Sequence, residues 1–372
     1  MLQEYDNYNF MSKNFIDEVI NGMYDWVRVI DRDSNIIYMN KAMCEGLGTC
    51  QTGQKCYIAT GKKAPCENCI SRRAIFDGRV HEKEEIIHSR IYSVMSSPVK
   101  NEDGEIIAAV EVLRDVTQVR QLQQKINQQN AILQKDLDAA KNLQRSLLPK
   151  GFKDARVDFR YFYRPCEALG GDFLDIFSID SDHIGMYIAD VSGHGVSSSM
   201  LTVFLHSTLD RSLLSPAQAL SQLYEKFNKS GIFEDLYITV FYAVIDLKNY
   251  TITYSNAGHN VIPVVFDHKT FDLLNSAGIP ISNWLPEPYY IDTTRALKKG
   301  ENIFFYTDGV VEIRNEANKQ FGEDRLAEIL TEVPGTPEEI LQDITSKIDD
   351  FMGGEGIEAS HDDITIAILQ IK

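Results

Sequence analysis

Residues 183 to 195 read HIGMYIADVSGHG, an apolar run that ends in an aspartate and passes directly into a turn of small residues. An uninterrupted apolar run of this length is typical of a strand buried in a protein core. Aspartate is depleted in strands and common in turns, so Asp190 marks the end of the strand. Gly193 and Gly195 let the backbone of the turn approach a bulky ligand closely. The stretch predicts a core strand that delivers a carboxylate to the edge of a sheet.

Other apolar runs in the second half of the chain also carry aspartates at their ends. Asp172 precedes FLDIF, Asp308 closes NIFFYTD, and Asp362 and Asp363 open DITIAIL. Each aspartate alone is explained as a turn residue, but carboxylates that converge at one edge repel one another unless cations lie between them. All-oxygen ligands favour Mg²⁺ or Mn²⁺, and two such ions about 3.5–4 Å apart activate a water for attack on phosphorus. The pattern predicts a two-metal site for phosphoryl chemistry.

The stretch ALGGDFLDIF, residues 168 to 177, has a second interpretation. Two glycines before an acidic residue are similar to the hairpin of diguanylate cyclases, but the glutamate of that hairpin is missing here. A cyclase also needs a nucleotide-binding half upstream, with its own acidic metal motif. Only a helical stretch and one strand separate the N-terminal region from residue 168, so we assign GGDFLD to the metal site.

Seven motifs in the second half follow one another in a recognisable order. They are RSLLP (residues 145 to 149), GGDFLD, DVSGHG, SNAGHN, FYTDGVVE, FGEDRL and HDDITI. Together they resemble the SpoIIE/RsbU-type serine phosphatases, which are bacterial members of the PPM family of metal-dependent protein phosphatases. The resemblance covers residues 142 to 372. It implies hydrolysis of phosphoserine or phosphothreonine with Mn²⁺ or Mg²⁺, on a small anti-sigma-factor antagonist.

The resemblance also implies roles for individual residues. Asp190 would bridge both metals, and the carbonyl of Val191 would be a further ligand. Asp308 and Asp362 would complete the centre. Asp172 would lie beside it, ligating directly or through water, and Asp363 stands where many relatives have asparagine. The loop under the phosphate would be formed by Gly193, His194 and Gly195, while His259 receives no role.

The sequence of the N-terminal region predicts a smaller domain of strands and short helices. Residues 26 to 40, WVRVIDRDSNIIYMN, predict a hairpin, and residues 41 to 48 predict a short helix. Two later strands flank the turn KNEDGE. This order resembles a PAS domain over residues 15 to 117, which implies a sensory module that commonly dimerises and passes its signal into a C-terminal helix.

Residues 116 to 149 predict that helix. Apolar residues recur every seven positions, at Val119, Ile126, Leu133, Ala140 and Leu147. Such a seam predicts a coiled coil, which Gln129 and Asp136 weaken by interrupting its other row. The alternatives are a switch between two packings and a passive linker helix.

Five of the six cysteines are clustered in the N-terminal region: Cys44, Cys50, Cys56, Cys66 and Cys69. Their spacing predicts an iron–sulfur cluster or Zn²⁺ site held by Cys56, Cys66 and Cys69, with Cys44 or Cys50 as the fourth ligand. A thiol–disulfide switch and a set of inert small apolar side chains are the alternatives.

The composition of the chain limits its possible partners and cellular location. The 372 residues carry a formal net charge of −17, which disfavours nucleic acids and anionic membrane surfaces as partners. We see neither a membrane-spanning run nor a signal peptide and expect a cytoplasmic protein.

We therefore expect an α+β protein of three parts: a PAS sensor (1–117), a coiled-coil helix (118–149) and a PPM-type sandwich (150–372). The expected function is a signal-regulated phosphatase that forms a homodimer through the PAS domain and the coiled coil. The alternative is a sensor or scaffold whose C-terminal domain binds a partner without turnover.

Overall fold

The computed structural model describes residues 13–193, 195–231, 235–268, 270–285, 288–332, 335–353, 356–357 and 360–372. The chain divides into two compact units, Met1–Leu133 and Gln134–Lys372. Among the described residues, none of the helices is long and apolar enough to cross a membrane.

From residue 13 onward, the N-terminal unit contains five strands: β1 (Trp26–Asp31), β2 (Ile36–Met39), β3 (His81–Ile87), β4 (Arg90–Lys100) and β5 (Ile106–Asp115). They form one antiparallel sheet in the order β2-β1-β5-β4-β3. Its helices are α1 (Lys13–Asn21), α2 (Lys41–Leu47), α3 (Cys56–Ala59) and α4 (Ile70–Asp77). The predicted hairpin and the helix that follows it are both present.

Asn40 explains why α2 starts where it does. Its side-chain oxygen accepts the N–H groups of Met43 and Val27, at 3.1 and 3.0 Å. The first bond caps the helix, and the second ties the cap to β1. The residue is fully buried, so a local helix signal also serves the core.

A buried ion pair joins β1 to β5. Arg28 and Glu111 meet at 2.7 Å, and both side chains are almost inaccessible to solvent. Glu111 also accepts the hydroxyl of Ser71 in α4, and Arg28 donates to the carbonyl of Cys56 at 3.2 Å. The cysteine-bearing segment is thereby pinned to the two central strands of the sheet.

A single helix, α5 (Thr117–Leu147), follows β5. Asp115 accepts the backbone N–H of Thr117 at 3.0 Å and its hydroxyl at 2.6 Å. Thr117 in turn accepts the N–H of Ile91 at 2.9 Å, which fixes the start of the helix to β4. The division between the two units falls inside α5.

In the described part of the C-terminal unit there are ten strands. They are β6 (Val157–Arg164), β7 (Phe173–Ser178), β8 (His183–Val191), β9 (Ile238–Asp246), β10 (Thr251–Ala257), β11 (Val264–Phe266), β12 (Phe271–Leu273), β13 (Thr293–Ala296), β14 (Asn302–Tyr306) and β15 (Ile364–Ile371). They form two five-stranded sheets, β13-β10-β9-β8-β7 and β12-β11-β14-β15-β6, with every pairing antiparallel.

Helices cover both sheets. On the first sheet, α6 (Val196–Thr208) packs against β8, and α7 (Pro216–Ser230) against β9 and β10. On the second sheet, α9 (Pro337–Met352) packs against β6 and β15, with α8 (Glu323–Glu332) beside it. Between the sheets, Phe241 of β9 meets Phe305 of β14 edge to face at 6.0 Å. Because the inner strands are covered on both faces, they are apolar throughout, as the sequence of β8 predicts.

Candidate active site and metal centre

Three of the predicted carboxylates line one cavity of about 590 Å³ in the C-terminal unit. Asp190 comes from the end of β8, Asp308 from the 3₁₀ turn Asp308–Val310 that follows β14, and Asp362 from the loop before β15. The remaining lining residues are Cys166, Glu167, Val191, Ser192, Gly193, Tyr237, Ser360 and His361. The two sheets thus bring together carboxylates that lie up to 172 positions apart in sequence, Asp190 and Asp362.

The carboxylates of the cavity repel one another. Burial, together with the nearby charges of Asp308 and Asp362, raises the pKa of Asp190 to about 7. Burial and Asp308 also raise the pKa of Asp362. A cation in the cavity would reverse these shifts, because an opposite charge favours the ionised carboxylate.

Asp308 is held by the turn that it begins. Its carbonyl accepts the N–H groups of Val311 and Glu312, at 2.9 and 2.8 Å. Its side chain accepts the amide of Asn260 at 2.7 Å. A side chain at Gly309 would place its Cβ 1.8 Å from the carbonyl oxygen of Asp363, so this crossing admits only glycine.

Asp172 is placed differently from the other carboxylates. It is 2% exposed, and its carboxylate accepts the hydroxyls of Thr307 at 2.7 Å and Thr365 at 2.6 Å. Burial, Asp190 and Asp363 raise its pKa well above the ordinary value. Asp172 therefore joins β7 to the strands that carry the cavity carboxylates, and it does not itself line the cavity.

Asp363 binds backbone rather than the cavity. Its Oδ1 accepts the N–H of Cys166 at 2.7 Å, and its Oδ2 accepts those of Gly171 at 2.5 Å and Asp172 at 3.1 Å. We grouped Asp363 with the metal ligands on sequence grounds. In the structure its two oxygens are engaged by three amides, so it fastens residues 166–172 to the start of β15.

The loop after β8 provides carbonyl oxygens. A Cβ at Gly171 would come within 2.8 Å of the Val191 oxygen and 3.1 Å of the Gly193 oxygen, so glycine is required there. Gly193 and Gly195 each have a φ of 82°, in the left-handed region that favours glycine. His194, predicted as part of this loop, lies outside the described residues.

Two further side chains near the site are not suited to catalysis. Burial and Asp363 raise the pKa of Cys166 to about 12, so its thiol stays protonated and is a weak nucleophile. His259 is buried, which lowers its pKa, and its Nε2 donates to the carbonyl of Tyr306 at 3.0 Å. His259 is therefore a neutral residue that supports β14.

Gln144, in the last turn of α5, was not anticipated from the sequence. It is 4% exposed and exchanges hydrogen bonds with both backbone groups of Gly170. Its amide also donates to the hydroxyl of Thr202 in α6 at 3.1 Å. A long polar side chain in a polar helix carries no burial signal, whereas Thr365 interrupts the apolar run ITIAIL and could have been singled out.

The cysteine cluster differs from the metal-site expectation. Cys44 and Cys50 form a disulfide with each other, while Cys56, Cys66 and Cys69 are free thiols. The reason is local: α2 ends at Gly48, whose φ of 75° turns the chain back so that Cys50 meets Cys44 at a Cα distance of 4.5 Å. Neither cysteine is then available as a fourth ligand.

Within the described residues, no three His, Cys, Asp or Glu side chains are arranged as ligands of one ion. This holds for the thiols, which give no support to an iron–sulfur or zinc site, and for the carboxylates as they are placed here. The chemistry of the cavity nevertheless fits Mn²⁺ or Mg²⁺, because Asp190, Asp308 and Asp362 line it as oxygen donors and the pKa values of Asp190 and Asp362 are raised.

The C-terminal unit, with its two packed sheets and its carboxylate cavity, is a PP2C-like α/β sandwich, and it follows a unit built on one antiparallel sheet. Residues 180–372 match the family model of stage II sporulation protein E, SpoIIE, and residues 20–121 match the PAS fold. The SpoIIE model covers more than half of the chain, and the chain belongs to that family.

Individual relatives agree with this assignment. The chain is 28% identical over 186 residues to the phosphoserine phosphatase RsbP of Bacillus subtilis, covering 48% of this chain and 45% of RsbP. It is 26% identical over 250 residues to the phosphoserine phosphatase RsbU of Bacillus subtilis, covering 64% of this chain and 71% of RsbU. The SiaA-PP2C domain of Pseudomonas aeruginosa matches in fold, with a TM-score of 0.58, 19% identity, and coverage of 65% of this chain and 98% of that domain.

Proposed function

We propose that the chain is a metal-dependent protein serine/threonine phosphatase with the carboxylate cavity as its active site. The observation that carries the proposal is the meeting of Asp190, Asp308 and Asp362 at one cavity in a chain of the SpoIIE family. The names of RsbP and RsbU as phosphoserine phosphatases support the same reaction.

Asp190, Asp308, Asp362 and the carbonyl of Val191 would hold two Mn²⁺ or Mg²⁺ ions. Ions in such a site supply an activated water and neutralise the phosphoryl oxygens. Asp172 would support the ligands indirectly. It accepts hydrogen bonds from Thr307, which precedes Asp308, and from Thr365, which lies three residues after Asp362. Glycines 193 and 195 keep side chains out of the loop where the phosphate approaches.

The proposed substrate is a phosphorylated anti-sigma-factor antagonist. The seven ordered motifs shared with SpoIIE/RsbU-type phosphatases support this class. A cavity of about 590 Å³ is within the range of ligand sites, and it admits a phosphoserine presented by a protein loop.

We further propose that the PAS domain (1–117) regulates the phosphatase domain (150–372) through a dimeric coiled coil over 118–149. The seam of α5 supports a second copy as the partner. Its apolar side chains are between 49% and 65% exposed at Val119, Leu122, Ile126, Leu133 and Leu143. A parallel partner helix would bury them.

The signal that we propose is thiol–disulfide exchange in the cysteine-bearing segment. The Cys44–Cys50 disulfide and three free thiols place both redox forms of cysteine in one segment. In cytosolic proteins, disulfides are usually transient and redox-sensing.

The test of the phosphatase is Mn²⁺-dependent hydrolysis of a phosphoserine peptide and of p-nitrophenyl phosphate. Asp190→Asn should lower turnover by more than about 100-fold, because metal ligands contribute more than their supporting residues do. The exposed Asp350→Asn is the matched control. Wild-type turnover in Asp190→Asn would show that the metal site is misplaced, whereas absence of Mn²⁺-dependent turnover in the wild type would favour a domain that binds a partner without hydrolysis.

A further inference from the structure

An aromatic pair flanks the candidate active site and has no role in the metal centre. Tyr237 lines the carboxylate cavity, and its ring meets that of Trp284 edge to face, with centroids 6.3 Å apart. Trp284 is 50% exposed and Tyr237 is 38% exposed. Large aromatic side chains are usually buried in a core, so an exposed pair beside a cavity indicates a binding surface.

The pair is held rigidly against the site. The backbone N–H of Tyr237 donates to the Ser192 hydroxyl at 2.9 Å, and its carbonyl accepts the Ser192 N–H at 3.1 Å. Ser192 directly follows Val191, so the position of Tyr237 is set by the same loop that carries the candidate metal ligands.

The Trp284 segment is anchored separately. Ile281 and Ile238 exchange both backbone hydrogen bonds, at 2.9 and 3.0 Å, which places the segment after Ile281 beside the segment before Ile238. Ser282 is fully buried and accepts the N–H of Leu285 at 3.3 Å, forming a turn that presents Trp284 to solvent. Hydrogen bonds thus hold the backbone beside each ring, and we refer to Tyr237 and Trp284 together as the aromatic wall.

The chemistry of the wall differs from that of the rest of the cavity. Elsewhere the lining carries acidic groups, including the exposed Glu167, and the chain as a whole has a net charge of −17. Acidic residues beside a substrate phosphoserine would be repelled there. An apolar side chain on the aromatic wall would instead remove its surface from water.

We propose that Tyr237 and Trp284 form a docking wall for an apolar residue next to the phosphoserine of the protein substrate. The proposal rests on the phosphatase function proposed above. It names the feature of the substrate that this cavity selects, and aromatic side chains of this kind are frequent hot spots of protein recognition.

The experiment uses the full-length chain with Mn²⁺ and ten-residue phosphoserine peptides whose two flanking residues are Leu, Ala, Lys or Asp. We expect wild-type kcat/KM for the Leu peptide to exceed that for the Asp peptide by about ten-fold, which corresponds to about 1.4 kcal/mol. Trp284→Ala should reduce this ratio to less than about two-fold, chiefly through KM, and Trp284→Phe should retain most of it. Leu214→Ala, an exposed apolar residue outside the cavity lining, is the control and should keep the wild-type ratio.

The outcomes separate this inference from the proposed function. If the wild type hydrolyses neither the peptides nor p-nitrophenyl phosphate, the phosphatase assignment fails. If it hydrolyses them with a Leu/Asp ratio near one, with a preference for Lys, or with a ratio that Trp284→Ala leaves intact, the docking wall is wrong and the phosphatase stands. Thermal unfolding of each variant ensures that a lost ratio does not reflect a lost fold.

Discussion

Gln144 forms hydrogen bonds with both backbone groups of Gly170: its Oε1 accepts the Gly170 N–H at 3.2 Å, and its Nε2 donates to the Gly170 carbonyl at 2.8 Å. The last turn of α5 is therefore joined to the glycine loop that leads into Asp172. Because Gly171 packs against the Val191 carbonyl, displacement of Gly170 would be felt by a candidate metal ligand.

Gln144→Met keeps the volume of the side chain and removes its hydrogen bonds. We expect the Mn²⁺ concentration for half-maximal activity to rise by about ten-fold, since supporting residues contribute 10–100-fold to metal affinity. A Mn²⁺ titration of phosphatase activity gives the value. Gln124→Met, at an exposed position of the same helix, is the control and should leave the titration unchanged. An unchanged titration curve for Gln144→Met would show that Gln144 does not affect Mn²⁺ binding.

Asp363 should matter for folding more than for the chemical step. Asp363→Ala leaves three buried or half-buried amides without an acceptor, and we expect it to lower the free energy of unfolding by about 2–5 kcal/mol. Asp363→Asn retains one side-chain oxygen that can accept a hydrogen bond, so it should lower the free energy of unfolding by less. Urea unfolding of the two variants provides the comparison, and equal losses would argue against the backbone role.

Asp175, on β7, gives a pH signature outside the cavity. Burial raises its pKa from 3.8 to about 6, although Arg211 lies 2.8 Å away and acts in the opposite direction. A raised folded pKa adds stability below the unfolded value, and that stability is lost as the pH rises through 6. The free energy of unfolding of wild type minus that of Asp175→Asn should therefore increase by about 2 kcal/mol between pH 7 and pH 4. A constant difference would show that Asp175 titrates normally.

His206 lies 3.7 Å from the carboxylate of Asp175, and its pKa is shifted in the opposite direction. Burial and Arg211 lower the pKa of its imidazole from 6.5 to about 4. The neutral ring adds stability above pH 6.5 that is lost as the pH falls towards 4. We expect His206→Gln to be destabilised less by acid than wild type, as followed by thermal unfolding between pH 7 and pH 4.5. Greater acid sensitivity of the variant would contradict this sign.

The free thiols of the N-terminal unit should react with an alkylating reagent at different rates. Lys62 lies 3.2 Å from the sulfur of Cys66, and a neighbouring ammonium promotes thiol reactivity. Burial raises the pKa of Cys56 to about 11, which makes it unreactive near pH 7. Limited alkylation followed by peptide mass spectrometry should label Cys66 before Cys56, and Lys62→Met should slow Cys66 selectively. Equal labelling of the two thiols would exclude Lys62 as an activator.

The sequence was informative wherever structure is local. Apolar runs predicted β8, β14 and β15, and three of the aspartates at strand ends lie in the cavity, because a strand entering a core must be apolar and must leave it at a turn. The exposed strands β12 and β13 span three and four residues and bury little, so they left no comparable pattern.

The partners of the site residues could not be predicted in the same way. Asp362 and Asp363 are adjacent and chemically identical, yet one lines the cavity and the other binds the amides of Cys166, Gly171 and Asp172. This difference is set by the alternation of side chains at the start of β15 and by the path of a loop nearly 200 residues earlier. The Cys44–Cys50 disulfide likewise depends on the angle at which the chain leaves α2.

The pairing of β6 with β15 has a consequence for biosynthesis. Val157 lies opposite Ile371, and Arg164 opposite Ile364, so the second sheet closes between segments made some 200 residues apart. Among the described residues, the N-terminal sheet is complete once Asp115 has been translated, which permits that unit to fold on the ribosome. The second sheet of the C-terminal unit must wait until residues 362–371 have emerged, and these residues bring both Asp362 and the backbone contacts of Asp363. A nascent chain that stalls before them has the N-terminal sheet but neither a closed second sheet nor a complete carboxylate cavity.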